Sequence, residues 1–72
     1  MIDLIDCSEY HNTEKKQVFI KETSFENRLI ILKPDNKSKG YTLFIYFYDR
    51  KQKNLANFLG RSSIQEWIFR KK

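Results

Sequence analysis

Phe44, Tyr46 and Tyr48 take every second place in Tyr41-Thr-Leu-Phe-Ile-Tyr-Phe-Tyr48, and the polar run Asp49-Arg-Lys-Gln-Lys53 follows directly. On a strand, alternate side chains share a face, so these three rings point one way while Tyr41, Leu43, Ile45 and Phe47 point the other. Rings in a row beside cations suit unpaired nucleotides. A stacked base contributes on the order of 1–3 kcal/mol, and Arg50, Lys51 and Lys53 would meet phosphates. RNA-recognition sheets and oligonucleotide-binding barrels work by the same physics, although no ribonucleoprotein-type motif is spelled out here. Phe19 and Phe58 are expected to join the ringed face from neighbouring strands. The competing reading gives these rings a homodimer interface, or places them beneath residues 1–7.

The other cations fall into two groups. Lys33, Lys37 and Lys39 flank or occupy the loop Pro34-Asp-Asn-Lys-Ser-Lys-Gly40, and Arg61, Arg70, Lys71 and Lys72 gather toward the C-terminus. Arg50, Lys51, Lys53, Arg61, Arg70 and Lys71 are the candidate phosphate contacts. Residues 1–32 hold four Lys/Arg against six Asp/Glu, and residues 33–72 hold ten against three. The net +5 therefore divides into a front of −2 and a back of +7. A basic half points to a polyanionic partner, with affinity falling steeply as salt rises. For any single lysine a solvated surface is the better reading; only the clustering argues for a site.

Other chemistry finds little support. Cys7 and His11 stand four apart with Asp3, Asp6 and Glu9 nearby, a spacing that would let two metal ligands, or a nucleophile and its base, share a helical face. The segment lacks helical periodicity, and two ligands do not make a zinc site. Cys7 reads instead as a small buried group and His11 as an exposed loop residue. Glycine occurs only at Gly40 and Gly60, so there is no glycine-rich phosphate loop, and so short a chain has little room for a deep pocket. No catalytic residue, metal or cofactor is assigned, and enzyme activity is not expected.

The 72 residues make one domain, which buries only roughly 60% of the surface its unfolded chain exposes. One cysteine excludes an internal disulfide and favours a reducing, cytoplasmic setting. The first residues carry no basic, signal-like start, and no apolar run reaches membrane-spanning length. So short a chain would suit a viral or phage protein, without any residue that says so.

Alternation predicts strands over Lys16–Lys21, Arg28–Lys33, Tyr41–Tyr48 and Asn54–Leu59, the last ended by Gly60. Residues 1–15 read as a loosely ordered segment or an edge strand. Ser63-Ile-Gln-Glu66 has the form of a capping box. Ile64, Trp67 and Ile68 follow at helical spacing, with Arg70, Lys71 and Lys72 where a helix dipole favours cations. The expected architecture is α+β: a small antiparallel sheet of three to four strands, with a short C-terminal helix packed on one face through Trp67 against Leu43, Ile45, Leu55 and Leu59. Leu55-Ala-Asn-Phe-Leu-Gly-Arg-Ser62 also resembles the first helix and turn of a helix-turn-helix. That resemblance covers eight residues and implies that Ser62, Ser63, Gln65 and Glu66 would face DNA.

The sequence thus supports a small, basic, non-enzymatic protein that binds DNA or RNA through its basic loops and an aromatic sheet face. The alternative is a protein-interaction module, a small inhibitor or adaptor of a host or cellular protein, gripping its partner by the same rings or by a sheet edge.

Overall fold

The computed structural model describes residues 2–25, 27–37, 39–49 and 54–72; for residues 49 and 54–56 it describes the backbone alone. Seven strands follow one another: β1 (Ile2–Cys7), β2 (Glu9–Asn12), β3 (Gln17–Glu22), β4 (Asn27–Pro34), β5 (Tyr41–Asp49), β6 (Asn54–Ile64) and β7 (Glu66–Lys71). Strands β2 to β6 form an antiparallel meander of five, and β1 pairs with β7 in parallel. Only Ser8 separates β1 from β2, and only Gln65 separates β6 from β7. Each of these pairs is therefore one bent path. The hydrogen bonding consequently runs round the molecule as a small barrel, with β1–β7 as its closure.

One side chain and four backbone groups secure that closure. The Ser8 N–H and hydroxyl both donate to the Ile20 carbonyl, at 2.7 and 2.9 Å, tying the β1–β2 bend to β3. Beyond β7, the Lys72 N–H donates to the Cys7 carbonyl at 3.0 Å. Closure through β1 and β7 reduces exposed edge, leaving β2 and β6 as the outermost strands of the five-stranded sheet, which suits a chain too short to cover edges with helices.

All seven strands contribute to one enclosed core. Ile5, Cys7, Phe19 and Leu32 are its buried centre, with Tyr10, Ile30, Tyr41, Leu43, Ile64, Trp67 and Phe69 packed around them. The rings interlock: Phe19 meets Trp67 edge-on at 5.0 Å, and Tyr10 stacks on both Phe19 and Phe69, at 4.8 and 4.6 Å. Such contacts add roughly 0.5–1.5 kcal/mol each beyond the area they bury.

The α+β expectation is overturned, because the described residues contain no helix and the chain is all-β. The C-terminal segment expected to be helical is the end of β6 and all of β7. Ile64, Trp67 and Ile68 do fit a helical stripe, but Phe69 does not. On a helix, Trp67 and Phe69, two apart, would face away from each other, whereas on a strand they share a side. Both rings enter the core while Ile68 turns outward and is exposed. A helix cap contributes about 1 kcal/mol and two turns cannot stand alone, so burial of two aromatic side chains decides the outcome. Trp67 packs against Phe19, Tyr10 and Tyr41, in the same cluster as the expected Leu43, whereas the expected Leu59 is exposed and the Leu55 side chain lies outside the described residues.

The helix-turn-helix resemblance fails in the same way. Residues 55–62 are extended within β6, and Gly60 lies inside that strand instead of ending it. The four expected strands are present, and residues 2–12 add β1 and β2, with β1 an essential wall of the barrel.

Candidate binding face

Strand register sorts the rings into two populations. Phe19 lies on a row with Ile30, Ile45 and Gly60, and Leu32 on a row with Gln17, Leu43 and Ser62; these rows face the core. The rows between them face outward. One runs His11, Val18, Ile31, Phe44, Arg61, and the next runs Glu9, Ile20, Leu29, Tyr46, Phe58. Phe44 and Tyr46 thus stand outside, as alternation predicts. Phe19, expected beside them, is fully buried on the other side of the sheet.

The outward rings make one cluster. Phe58 sits 5.3 Å from Tyr46 and 6.4 Å from Phe44, both tilted, and is itself 55% exposed. Phe44, Tyr46 and Tyr48 are half-buried. Lys33 holds its Nζ 5.3 Å from the centre of the Phe44 ring, and Arg61, exposed, is paired with Phe44 in the β5–β6 register. Cations therefore stand on both sides of Phe44. Ile20 and Leu29, in register with Tyr46 on this face, are also buried, apart from the cluster around Phe19 and Leu32. The surface is accordingly a packed apolar band with accessible rings along it, not a line of isolated aromatics.

The remaining expected contacts are scattered. Arg70 and Lys71 lie on β7, in the closing pair. Arg70 is engaged by Asp6 on β1, its Nε at 2.7 Å from Oδ1 and Nη2 at 3.1 Å from Oδ2. That two-point bond, ahead of the opposing effect of burial and with the added attraction of the Arg70 charge, holds the Asp6 carboxyl below its ordinary value. Lys71 is exposed and in register with Cys7. Arg50, Lys51 and Lys53 lie outside the described residues. Arg61 is therefore the one expected cation that the described residues bring to the rings, and Lys33, absent from the expected contacts, is a second.

A further group was not anticipated. Thr13, Glu14, Lys15, Lys16 and Lys33 line an open cleft of about 700 Å³ at the turn between β2 and β3. Lys16 precedes Val18 by two residues, so alternation alone places it on the outer face. Only the folded chain, in which β3 and β4 pair from Gln17–Leu32 onward and both lysines line one cleft, shows that Lys33 is its neighbour.

Cys7 is buried in the core, and burial, reinforced by the Asp6 charge, raises its thiol above the ordinary value. His11 lies exposed on β2, and among the described residues no group of three or more His, Cys, Asp or Glu could hold a metal ion. No helix of the described residues is long and apolar enough to cross a membrane. No family model, curated protein or solved structure matches this chain.

Proposed function

We propose that this chain is a non-enzymatic module that binds single-stranded nucleic acid across the outer face of β5 and β6. The observation that carries the reading is the cluster of Phe44, Tyr46 and Phe58 outside a core that is already filled, with Lys33 and Arg61 on either side. Tyr10, Phe19, Tyr41, Trp67 and Phe69 supply the interior without them. Successive outward positions on a strand are about 6.6–6.8 Å apart. Bases in a duplex stack at about 3.4 Å, so rings at this pitch favour a strand whose bases are splayed. The buried, unpaired Cys7 suits a reducing compartment such as the cytoplasm.

Fluorescence anisotropy with short labelled oligonucleotides, single-stranded and duplex, across a salt series tests the proposal. Single strands are expected to bind more tightly than duplex. Phe58→Ala is expected to cost about 1–3 kcal/mol of affinity without altering the salt slope, because stacking releases no counterions. Duplex or heparin bound as tightly as the single strand, with Phe58→Ala silent, would refute it.

The second reading, a protein partner, is favoured by Val18 and Ile31, half-buried on the same outer face, which extend the apolar band beyond the rings. A partner retained from lysate after nuclease treatment and lost in Tyr46→Ala, with little response to salt, would support it.

A further inference from the structure

We infer that the cleft at the β2–β3 turn is a phosphate subsite, in which Lys15, Lys16 and Lys33 hold the backbone of a single strand whose bases stack on the neighbouring rings. The inference rests on the nucleic-acid reading and gives the bound strand a path: over Phe58 and Tyr46, past Phe44, and into the cleft.

Lys33 is the hinge of the argument. It lines the cleft and also lies over the Phe44 ring, so the cleft and the ring cluster share a wall. Lys33 on β4 stands one step beyond the Gln17–Leu32 pair, on the face that continues through Ile31 and Phe44, and Lys16, just before β3, lines the same cleft. Three lysines against one carboxylate, Glu14, leave the cleft with net positive charge. All three ammonium-bearing side chains are on exposed residues, able to reach an anion without being taken out of water beforehand.

The turn is shaped before any ligand arrives. The Thr13 N–H donates to the Lys16 carbonyl at 2.9 Å, the Thr13 hydroxyl donates to that same carbonyl at 2.9 Å, and the Lys16 N–H donates to the hydroxyl oxygen at 3.2 Å. Prior ordering of the turn lowers the entropy cost of binding. On its other side the turn borders a smaller cavity of about 170 Å³ at the barrel mouth, also lined by Gln17 and Tyr41.

The test compares two charge-matched triple variants of the full chain, with a fluorescein-labelled oligothymidylate as the probe. Lys15→Gln/Lys16→Gln/Lys33→Gln removes the cleft cations; Lys37→Gln/Lys39→Gln/Lys72→Gln removes three exposed lysines elsewhere. Each phosphate contact to a single strand contributes roughly 0.7 to the slope of log affinity against log salt. The cleft variant is expected to lose about 2 from that slope and at least tenfold in affinity at low salt, while the control keeps a slope close to that of the unmodified chain. Equal losses in both variants, or no loss in the cleft variant, would overturn the subsite while leaving stacking on Phe58 intact. Failure of the unmodified chain to bind the probe at all would refute the parent reading, and the subsite with it.

Discussion

Asp6 and Arg70 are separated by most of the sequence yet meet through two hydrogen bonds across the closing strands. Because the folded carboxyl titrates below its ordinary value near 3.8, the native state sheds that proton more readily than the unfolded one. The stabilisation is therefore fully present above the ordinary value and is lost as pH falls through the folded value. Lys72 and Lys21 act on the carboxyl in the same direction, more weakly. Thermal unfolding followed from about pH 6 down to about pH 2 should show a steeper acid loss in the unmodified chain than in Asp6→Asn, with parallel curves near neutrality. Identical acid limbs would mean that the pair contributes nothing to folding. The same bond explains why Arg70, a plausible phosphate contact on composition, already has a partner of opposite charge.

At the scale of elements, the two glycines play opposite parts. Gly40, buried at the start of β5, lies against the end of β6: a Cβ there would meet the Ile64 carbonyl oxygen at 2.5 Å. That contact is with backbone, so the strands would have to separate. Gly60, in the middle of β6, has nothing within 4 Å of where its Cβ would stand. Gly40→Ala is expected to destabilise by roughly 1–3 kcal/mol. Gly60→Ala should be neutral or stabilising by up to about 1 kcal/mol, since alanine is the less flexible residue in the unfolded chain. Urea titration of both variants checks the contrast, and equal effects would contradict the β5–β6 register. Both glycines are punctuation when read along the chain. What separates them is the distance across the sheet.

For the whole molecule, parallel closure by β1 and β7 makes the two ends of the chain mutually dependent. Trp67, the single tryptophan, packs against Phe19 on β3 and Tyr10 on β2, so its fluorescence reports the junction between the closing pair and the meander. One core shared by seven strands predicts one transition. Far-UV circular dichroism should lack the double minimum of a helix, and its urea transition should coincide with that of Trp67 fluorescence. An earlier fluorescence transition would mean that β7 detaches before the sheet melts. A helical spectrum would contradict the all-β architecture itself.

Local patterning is informative where one face of a strand is buried and the other is not. The alternation in Tyr41–Tyr48 separates Tyr41 and Leu43, which reach the core, from Phe44 and Tyr46, which stand outside. The same rule correctly sets Phe19 opposite Val18 and Ile20 but cannot say which of those sides is enclosed. That ambiguity put Phe19 among the outward rings. Residues 64–68 show the other limit: a helical stripe and a strand both fit, and the choice falls to the burial of Phe69 beside Trp67. The sequence by itself thus determined four of the seven strands and the ringed central segment, which follow from side-chain type at a period of two, and the basic balance, which follows from composition. Tertiary structure alone decided the barrel closure, the Asp6–Arg70 bond and the meeting of Lys16 with Lys33. Each of these joins residues far apart in the chain, and their approach depends on register and curvature that no local pattern encodes.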